Sequence, residues 1–477
     1  MTFASTPSGA PVDVPPVDAG TASVTSAEWS QLRDLAKGRL ITATDPDWDT
    51  ARIGWIVSVD QRPAAVLEVA DAADVVHAVR WAAGHSLPVA AQPRGHAART
   101  SLNGTLLLRT GALDQIDVDV VGRTARVGAG VRWSDLLERL DGTGLVALAG
   151  SSGDPSVVGQ TLGGGASWFS RKYGFAANSI RSLDVVDADG GLQHVTASSD
   201  PDLFWALRGG GGDFAIVVAM EIALFAESDL YGGRLLWNAT HCRAVLGAFR
   251  DIVADAPPAL TLWAHVYHFP AIEVVPEPVR GRSFVSVACT HLGTSAEAEA
   301  LLAPLRDIAP VELDLMGEVP IGALSSIADE PVDPMPAMEL NVLLDDLTDD
   351  TLDALTAAVA DRDTCPLTII QLRHLEGAFA DRPVDGGAVC AVDARFSLYA
   401  VGVPVVAELV DAIGAGFNAL DTAVRERAVG RLLSNFTGEH QDNAAGYEPA
   451  THERLQRIKR ERDPGGRIRS NKPVLGA

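Results

Sequence analysis

One short turn carries the residues whose types and spacing are best suited to chemistry. Residues 92–97 are Gln-Pro-Arg-Gly-His-Ala, and they follow an apolar run at 87–91 that predicts a short buried strand. Peptide N–H groups in such a turn lie beyond the sheet edge without a ladder partner, so they can bind an anion such as a pyrophosphate. Gly95 would let the main chain approach that anion closely. Taken alone, the turn also fits an ordinary connection between a strand and a loop.

A second loop, at residues 150–166, begins with Gly-Ser-Ser and contains three consecutive glycines at 163–165. Consecutive glycines are costly inside a helix, so this stretch favours a turn. The close approach of a flat ligand to the backbone explains them. A mobile hinge is the alternative, but a hinge does not require the apolar flanks Val157, Val158 and Leu162.

The segments around these loops have the patterns of short strands and helices. A strand at 63–69, a helix at 71–82 with acidic residues in its first turn, and the strand at 87–91 form a β-α-β unit. The turn at 92–97 lies at the C-terminal end of that unit, where open α/β sheets bind ligands. Further predicted elements are hairpins at 116–127 and 183–196, helices at 133–140 and 202–207, and a strand at 216–225.

The pattern changes near residue 231, where strands alternate with helices rich in Ala, Leu and Asp. This mixture predicts a separate α+β domain. Its strands are predicted at 233–237, 261–268 and 283–290, and its helices at 241–254, 295–307 and 350–362. A last helix is predicted at 450–462.

Composition and charge exclude several classes of protein. The 477 residues carry a formal net charge of -24 and only four lysines, so no clustered positive charge can bind nucleic acid or lipid headgroups. The four cysteines lack Cys-x-x-Cys spacing and an accompanying His cluster, so we expect reduced thiols and no metal site. The first 26 residues lack the basic and the apolar region of a signal peptide, so we do not expect one, and no run of about 18 apolar residues predicts a spanning helix. We therefore expect a cytoplasmic protein with a flexible leader and neither nucleic-acid nor membrane partners.

Six segments of the chain match sequence motifs of one protein family, and they occur in the same order as in that family. They are residues 60–64, 92–96, 157–165, 170–174 and 200–214, followed by Arg454, Leu455, Lys459, Asp463, Pro464 and Asn471. In this order the chain resembles the berberine-bridge-enzyme-like branch of the FAD-linked oxidases, within the vanillyl-alcohol-oxidase superfamily. Any one match is weak, but the ordered set covers nearly the whole chain after the leader and is highly specific.

The resemblance implies an α+β fold. A PCMH-type FAD-binding domain of two α/β subdomains would hold the cofactor, and a substrate domain with an antiparallel sheet flanked by helices would cover it. The expected limits are a flexible leader at 1–26, the FAD-binding domain at 27–228 and the substrate domain at 229–430. A C-terminal segment at 431–477 would return to the FAD-binding domain.

The resemblance also implies which residues bind FAD. His96 matches the histidine that links covalently to the flavin 8α-methyl carbon. A neutral imidazole can act as the nucleophile because the unperturbed histidine pKa is about 6.5. A hydrogen bond from His96 to a phosphate is the alternative. The other implied FAD contacts are Pro93, Arg94, Gly95, Ala97, Gly150, Ser151, Ser152, Gly159, Leu162, Gly163, Gly164, Gly212, Phe214, Ile216, Val217 and Asn471.

The chain departs from the family pattern at positions that affect its chemistry. Ser152 stands where many relatives have a second, cysteinyl link to the flavin, and a serine hydroxyl is too poor a nucleophile to replace a thiolate. We therefore expect one covalent link at most, through His96. Phe436 stands where alcohol-oxidising relatives often have a tyrosine base, so Tyr267 and Tyr399 become the candidate catalytic residues. Other candidates are His265, His268, His374, Glu376 and Asp393.

Three functions fit these residues. The favoured one is an FAD-dependent oxidoreductase that oxidises a small organic substrate, such as a secondary metabolite or an alcohol, by hydride transfer to flavin N5, with reoxidation by O₂. The second is a flavin-dependent dehydrogenase, oxygenase or cyclase of natural-product biosynthesis. The third is a redox-inactive binder of small molecules, motivated by the missing tyrosine. The acidic composition favours a neutral or cationic substrate.

Overall fold

A computed structural model describes residues 24–273 and 275–476. The leader expected at 1–26 therefore lies almost entirely outside the described residues. The α-helices are Ser26–Leu35 (α1), Trp48–Arg52 (α2), Ala72–Gly84 (α3), Trp133–Leu140 (α4), Val157–Leu162 (α5), Ser170–Tyr173 (α6), Pro201–Leu207 (α7), Cys242–Val253 (α8), Ser295–Arg306 (α9), Asp349–Val359 (α10), Glu408–Val424 (α11) and Pro449–Arg462 (α12).

The strands form three larger units and one short pair. They are Arg39–Ile41 (β1), Ala65–Glu68 (β2), Val89–Ala91 (β3), Leu106–Arg109 (β4), Ile116–Asp119 (β5), Thr124–Gly128 (β6), Leu145–Val146 (β7), Ile180–Val186 (β8), Leu192–Val195 (β9), Ile216–Ala223 (β10), Phe225–Ala226 (β11), Leu230–Asn238 (β12), Leu260–His268 (β13), Ser283–Leu292 (β14), Leu313–Asp314 (β15), Gly317–Glu318 (β16), Met338–Leu344 (β17), Ile369–His374 (β18) and Phe396–Gly402 (β19). The predicted β-α-β unit and both predicted hairpins are confirmed.

The N-terminal half contains a four-stranded sheet in the order β1-β2-β4-β3 and a five-stranded sheet in the order β5-β6-β10-β8-β9. Helix α3 connects the parallel strands of the first sheet and begins at an N-cap aspartate, Asp71, which accepts hydrogen bonds from the peptide N–H groups of Ala73 and Asp74. Its buried face includes Val75 and Val79. The turn at 92–97 follows β3 directly, at the C-terminal edge of the parallel strands.

The large sheet has the order β15-β12-β14-β13-β18-β19-β17, with β16 also paired to β12. Successive side chains of a strand point to opposite faces. On one face, apolar residues such as Leu262, Val287 and Leu398 form a core with helices α8 to α11. The opposite face has a different chemistry. Its cross-strand rows contain Arg234, Leu236, Ser286, His265, Tyr267, Gln371, Arg373, Tyr399, Asn341 and Glu339.

The last segment packs against the N-terminal half. Val89 in β3 donates a hydrogen bond to the carbonyl of Arg467 and accepts one from the N–H of Arg469. The predicted domain limits at 228 and 430 fall between β11 and β12 and after α11. None of the helices among residues 24–273 and 275–476 combines the length and the apolar character needed to cross a membrane.

Candidate functional site

A cavity of about 1410 Å³ lies between the glycine-rich loops, the polar face of the large sheet and the C-terminal segment. Cavities that bind one drug-sized molecule typically measure about 300–1,000 Å³. The additional volume is enough for a cofactor and a substrate to lie side by side. The stacked indoles of Trp168 and Trp263, with centroids 3.4 Å apart, join the two halves of the chain beside the cavity.

Most of the residues singled out in the sequence lie in the wall of this cavity. They are Pro93, Arg94, Gly95, His96, Ala97, Gly150, Ser151, Ser152, Gly159, Leu162, Gly163, Gly212, Val217, Tyr267, Tyr399 and Asn471. Three others lie behind the wall. Phe214 and Ile216 are buried in the apolar core, and Gly164 packs against Val389. Contact of these three residues with the cofactor stays a prediction from their place in the family motif.

The first loop presents peptide donors to the cavity. The carbonyls of Arg94 and Gly95 accept hydrogen bonds from the N–H groups of Trp55 and Ile56, so the loop is held from behind. The N–H of a trans peptide points away from its carbonyl, so the N–H groups of Gly95 and His96 face the other way. Within the described part of the chain, no acceptor contacts the peptide N–H groups of residues 94–97. Gly95 has φ +88°, and a Cβ there would lie 2.5 Å from Gly54 Cα.

The second loop supplies a matching set of donors. Among described residues, the peptide N–H groups of residues 150–152 also lack an acceptor. Asn435 fixes the glycines that follow, because its Oδ1 accepts from the N–H of Gly165 at 2.8 Å and its Nδ2 donates to the carbonyl of Gln160 at 3.0 Å. Concave sets of free N–H groups bind phosphate oxygens. The two loops therefore fit the pyrophosphate and the polar edge of a dinucleotide such as FAD.

His96 is held in one orientation. Its Nε2 lies 2.7 Å from Oδ2 of Asp154, and its ring stacks on Trp55 with centroids 4.6 Å apart. A carboxylate only accepts hydrogen bonds, so Nε2 donates to Asp154 and Nδ1 is the ring nitrogen left without this contact. Arg94 also donates to Asp154, whose side chain is 3% exposed. Burial alone would raise the pKa of Asp154, but the hydrogen bonds from His96 and Arg94 lower it below its ordinary value.

Neither candidate tyrosine is a ready proton acceptor. Burial raises the pKa of Tyr267 to about 12. Burial, followed by the negative charge of Glu339, raises the pKa of Tyr399 well above its ordinary value. The Tyr399 phenol donates a hydrogen bond to Oε1 of Glu339. The Phe436 ring packs edge-on against Tyr399 at 5.1 Å and cannot take a proton.

The other candidates occupy structural positions. His268 Nε2 donates to the carbonyl of Val359 at 2.8 Å, on the helix-covered side of the sheet. His374 is buried, and its Nε2 lies 2.7 Å from Glu376, outside the cavity wall. The Asp393 side chain is 85% exposed. His374 and Asp393 therefore lie outside the cavity wall, whereas His268 contributes to the wall with its Nε2 already bonded to Val359.

Comparison with known proteins agrees with this geometry. A family model described as an FAD binding domain matches residues 63–196. The (R)-6-hydroxynicotine oxidase of Paenarthrobacter nicotinovorans is 25% identical over 467 residues, covering 91% of this chain and 96% of that enzyme. The structure of BBE-like 1 from Physcomitrella patens superposes with a TM-score of 0.81 at 17% identity, covering 93% of this chain and 98% of that one. The chain therefore contains an FAD-binding domain.

The chain resembles the berberine-bridge-enzyme-like FAD-linked oxidases, and the predicted fold class is confirmed. A third relative is the FAD-dependent monooxygenase tpcD of Cochliobolus heterostrophus, 31% identical over 210 residues. That match covers 43% of this chain and 40% of the monooxygenase. The chain therefore matches about two fifths of the fungal enzyme but nearly the whole bacterial oxidase.

Two titratable groups in the cavity wall escaped the sequence interpretation. Lys472 lines the cavity and donates to the carbonyl of Ser434. Burial, with the positive charge of Arg99, lowers the pKa of Lys472 to about 7. Glu339 also lines the cavity, and burial raises its pKa. A signal for Lys472 was present, because it is one of four lysines and follows Asn471 directly.

Proposed function

We propose that the protein oxidises a small organic substrate with FAD held through a single covalent link at His96, and that O₂ reoxidises the cofactor. One observation carries the proposal: a single cavity joins the free peptide donors of both glycine loops to the polar face of the large sheet. Bound FAD would supply a two-electron acceptor for a hydride from a substrate C–H bond. A cytoplasmic location also stays a prediction.

His96 is the attachment residue in this proposal. Because Nε2 donates to the Asp154 carboxylate, Nδ1 is the nitrogen that would hold the flavin at its 8α carbon. Ser152 lies in the same cavity wall but has no ionised sulfur for a second link. The flavin is therefore attached at one point only.

Lys472 is the proposed proton acceptor. A hydride leaves a substrate alcohol or amine more readily when a base takes the proton of its O–H or N–H group. With a pKa of about 7, Lys472 is partly neutral at neutral pH, and its amine lies in the cavity wall. Tyr399 and Glu339 sit beside it as a hydrogen-bonded pair that tunes the local charge. Tyr267 forms another part of the wall over the substrate.

The names of the relatives support two reaction classes. One is oxidation of a small organic molecule, as the name of the (R)-6-hydroxynicotine oxidase indicates. The other is oxygenation, as the name of the fungal FAD-dependent monooxygenase indicates. A redox-inactive binder is the remaining alternative.

Anaerobic mixing separates these functions. The purified holoprotein is mixed without oxygen with a panel of cyclic amines, benzylic alcohols and aromatic acids, and the visible flavin bands are followed. An oxidase substrate bleaches the flavin, and admission of air restores the colour with one peroxide formed per flavin. Bleaching without recovery in air indicates a dehydrogenase. Protein that stays colourless after saturation with FAD and removal of the excess contradicts the proposal.

A further inference from the structure

Arg373 is a buried cation in the wall of the substrate cavity. It lies on β18, on the polar face of the large sheet, and is 2% exposed. Its guanidinium carbon lies 4.1 Å from the ring centre of Trp263 and 4.3 Å from that of Phe436. Stacking on two rings fixes the guanidinium plane and leaves its N–H donors available only at the edge.

The charge of Arg373 has no counterion in the described part of the chain. Its Nε and Nη2 both donate to the amide oxygen of Gln371, at 2.9 and 2.7 Å, and an amide is neutral. Among the described residues, no carboxylate lies within 4.0 Å of the guanidinium, and the buried Nη1 has no acceptor. A buried charge is retained only where pairing offsets its desolvation, so a missing anion is implied at Nη1.

The surrounding residues make the same side of the cavity positive. Arg234 occupies the same cross-strand row as Trp263 and Arg373, two strands away from Trp263. Arg234 pairs with Asp329 at 3.2 Å, but its buried Nε has no acceptor. The neighbouring His265 is 1% exposed, and both of its ring nitrogens lack partners. Burial, then the charges of Arg373 and Arg234, lowers the pKa of His265 to about 3, so it stays neutral.

The acids of the cavity wall do not neutralise Arg373. Burial lowers the pKa of Arg373, and the charge of Glu330 opposes this shift only in part and without an ion pair among the described residues. Glu339 accepts the hydrogen bond of Tyr399, and burial raises its pKa. The chain as a whole is strongly negative, but the cavity wall around Arg373 is positive. The expectation of a neutral or cationic substrate rested on composition alone and does not take this local charge into account.

We propose that the substrate of this oxidoreductase carries a carboxylate that pairs with Nη1 of Arg373. The proposal rests on the proposed function, because it concerns the same cavity. Nη1 offers two N–H donors, which suit the oxygens of a carboxylate. A neutral carbonyl would accept the same hydrogen bonds but would leave the guanidinium charge unbalanced between two aromatic rings. Arg373 is in this account a residue that positions and selects the substrate.

The first test compares benzoate with benzamide, which has the same size and shape without the charge. Each is titrated into the holoprotein at constant ionic strength, and binding is followed from the visible flavin spectrum. We expect the Kd of benzoate to be at most about one tenth of the Kd of benzamide, as for one charge-assisted hydrogen bond. Equal affinities would overturn the proposal.

Substitutions locate the effect. Arg373→Met should abolish the preference for benzoate, and Arg373→Lys should keep part of it because the charge remains. The matched control is Arg362→Met, since Arg362 also lines the cavity but donates to the carbonyl of Gly281. It should leave the preference unchanged. A benzoate preference that survives in Arg373→Met would overturn the assignment. If Arg373→Met does not fold, the benzoate preference is measured in Arg373→Lys instead.

Two further readings separate this proposal from its alternatives. Sulfite affinity reports positive charge beside the flavin ring. If Arg373→Met loses sulfite affinity and keeps the benzoate preference, Arg373 serves the cofactor and the proposal is wrong. If the protein holds no flavin, the proposed function fails, but thermal unfolding still decides the present proposal. Benzoate, and not benzamide, should then raise the Tm of the wild type and leave that of Arg373→Met unchanged.

Discussion

The last forty residues contain two lysines, one buried and one partly buried, with opposite surroundings. Lys459 donates to the carbonyl of Asp213 at 2.5 Å, to Asp463 at 2.8 Å and to the carbonyl of Ile468 at 2.6 Å, so all three of its ammonium donors are used. Among the described residues, the ammonium of Lys472 has one acceptor, the carbonyl of Ser434, and it lines the cavity.

The two lysines differ in role: Lys459 stabilises the fold, and Lys472 is the candidate for proton transfer. Three fixed acceptors stabilise the ammonium of Lys459 and attach α12 to the loops around it. A single acceptor leaves Lys472 poorly solvated, so burial lowers its pKa to about 7 and its proton can leave. Perturbed titratable groups in a cleft are candidates for function, whereas a cation with all donors satisfied is a scaffold.

The largest expected effect is on stability, from Lys459→Met. Removing this cation leaves the buried carboxylates of Asp463 and Asp213 without their partner, so we expect a loss of about 3–5 kcal/mol in the free energy of unfolding. Urea denaturation followed by far-UV circular dichroism measures it. Lys37→Met is the control, because Lys37 is 72% exposed and pairs with Asp71 at the surface. A loss below about 1 kcal/mol for Lys459→Met would remove the distinction between the two lysines.

The second effect is on turnover, from Lys472→Met. Loss of the proton acceptor should lower kcat by about 100-fold or more while the protein stays folded and yellow. In the wild type, the neutral amine is the active form, so kcat/KM should rise with pH and level off above about 7. The rise should be absent in Lys472→Met and in Lys472→Arg, whose charge does not titrate in this range. An unchanged pH profile would assign the base elsewhere.

The smallest effect is a shift in that profile, from Tyr399→Phe. The Tyr399 hydrogen bond lowers the pKa of Glu339, and ionised Glu339 raises that of Lys472. Without the phenol, Glu339 is less ionised and the inflection should move to lower pH, with kcat changed by less than about tenfold. A loss of activity as large as that of Lys472→Met would make Tyr399 the base, as the sequence first suggested.

Local patterns predicted most of the elements. The hairpin at 116–127 forms with Ile116 opposite Val127, and the helix predicted at 133–140 has those limits in the structure. Such elements follow from alternation, periodicity and capping within a few residues. The two glycine loops were also found from local composition, and the structure places most of their residues in one cavity wall.

The remaining site depends on strand order, which local patterns do not contain. Strand β18 pairs with β13, about a hundred residues earlier in the chain, and this pairing sets Arg373 beside Trp263. Residues 370–373 alternate apolar and polar side chains, which indicates the two faces of the strand but not its neighbours in the sheet. Asp154 was likewise one acid in a loop until folding placed it against His96. The domain limits and the roles of the site residues stay predictions.

The most direct test of the FAD site is the mass of the peptide that contains His96. Purified protein is precipitated with acid, washed and digested, and the peptide spanning residues 92–97 is examined by mass spectrometry beside the His96→Ala variant. We expect the wild-type peptide to carry the mass of the flavin group at His96, and the variant to fold and release its flavin to the supernatant. Unmodified His96 with all flavin in the wash, or a flavin-linked peptide elsewhere in the chain, would contradict this account.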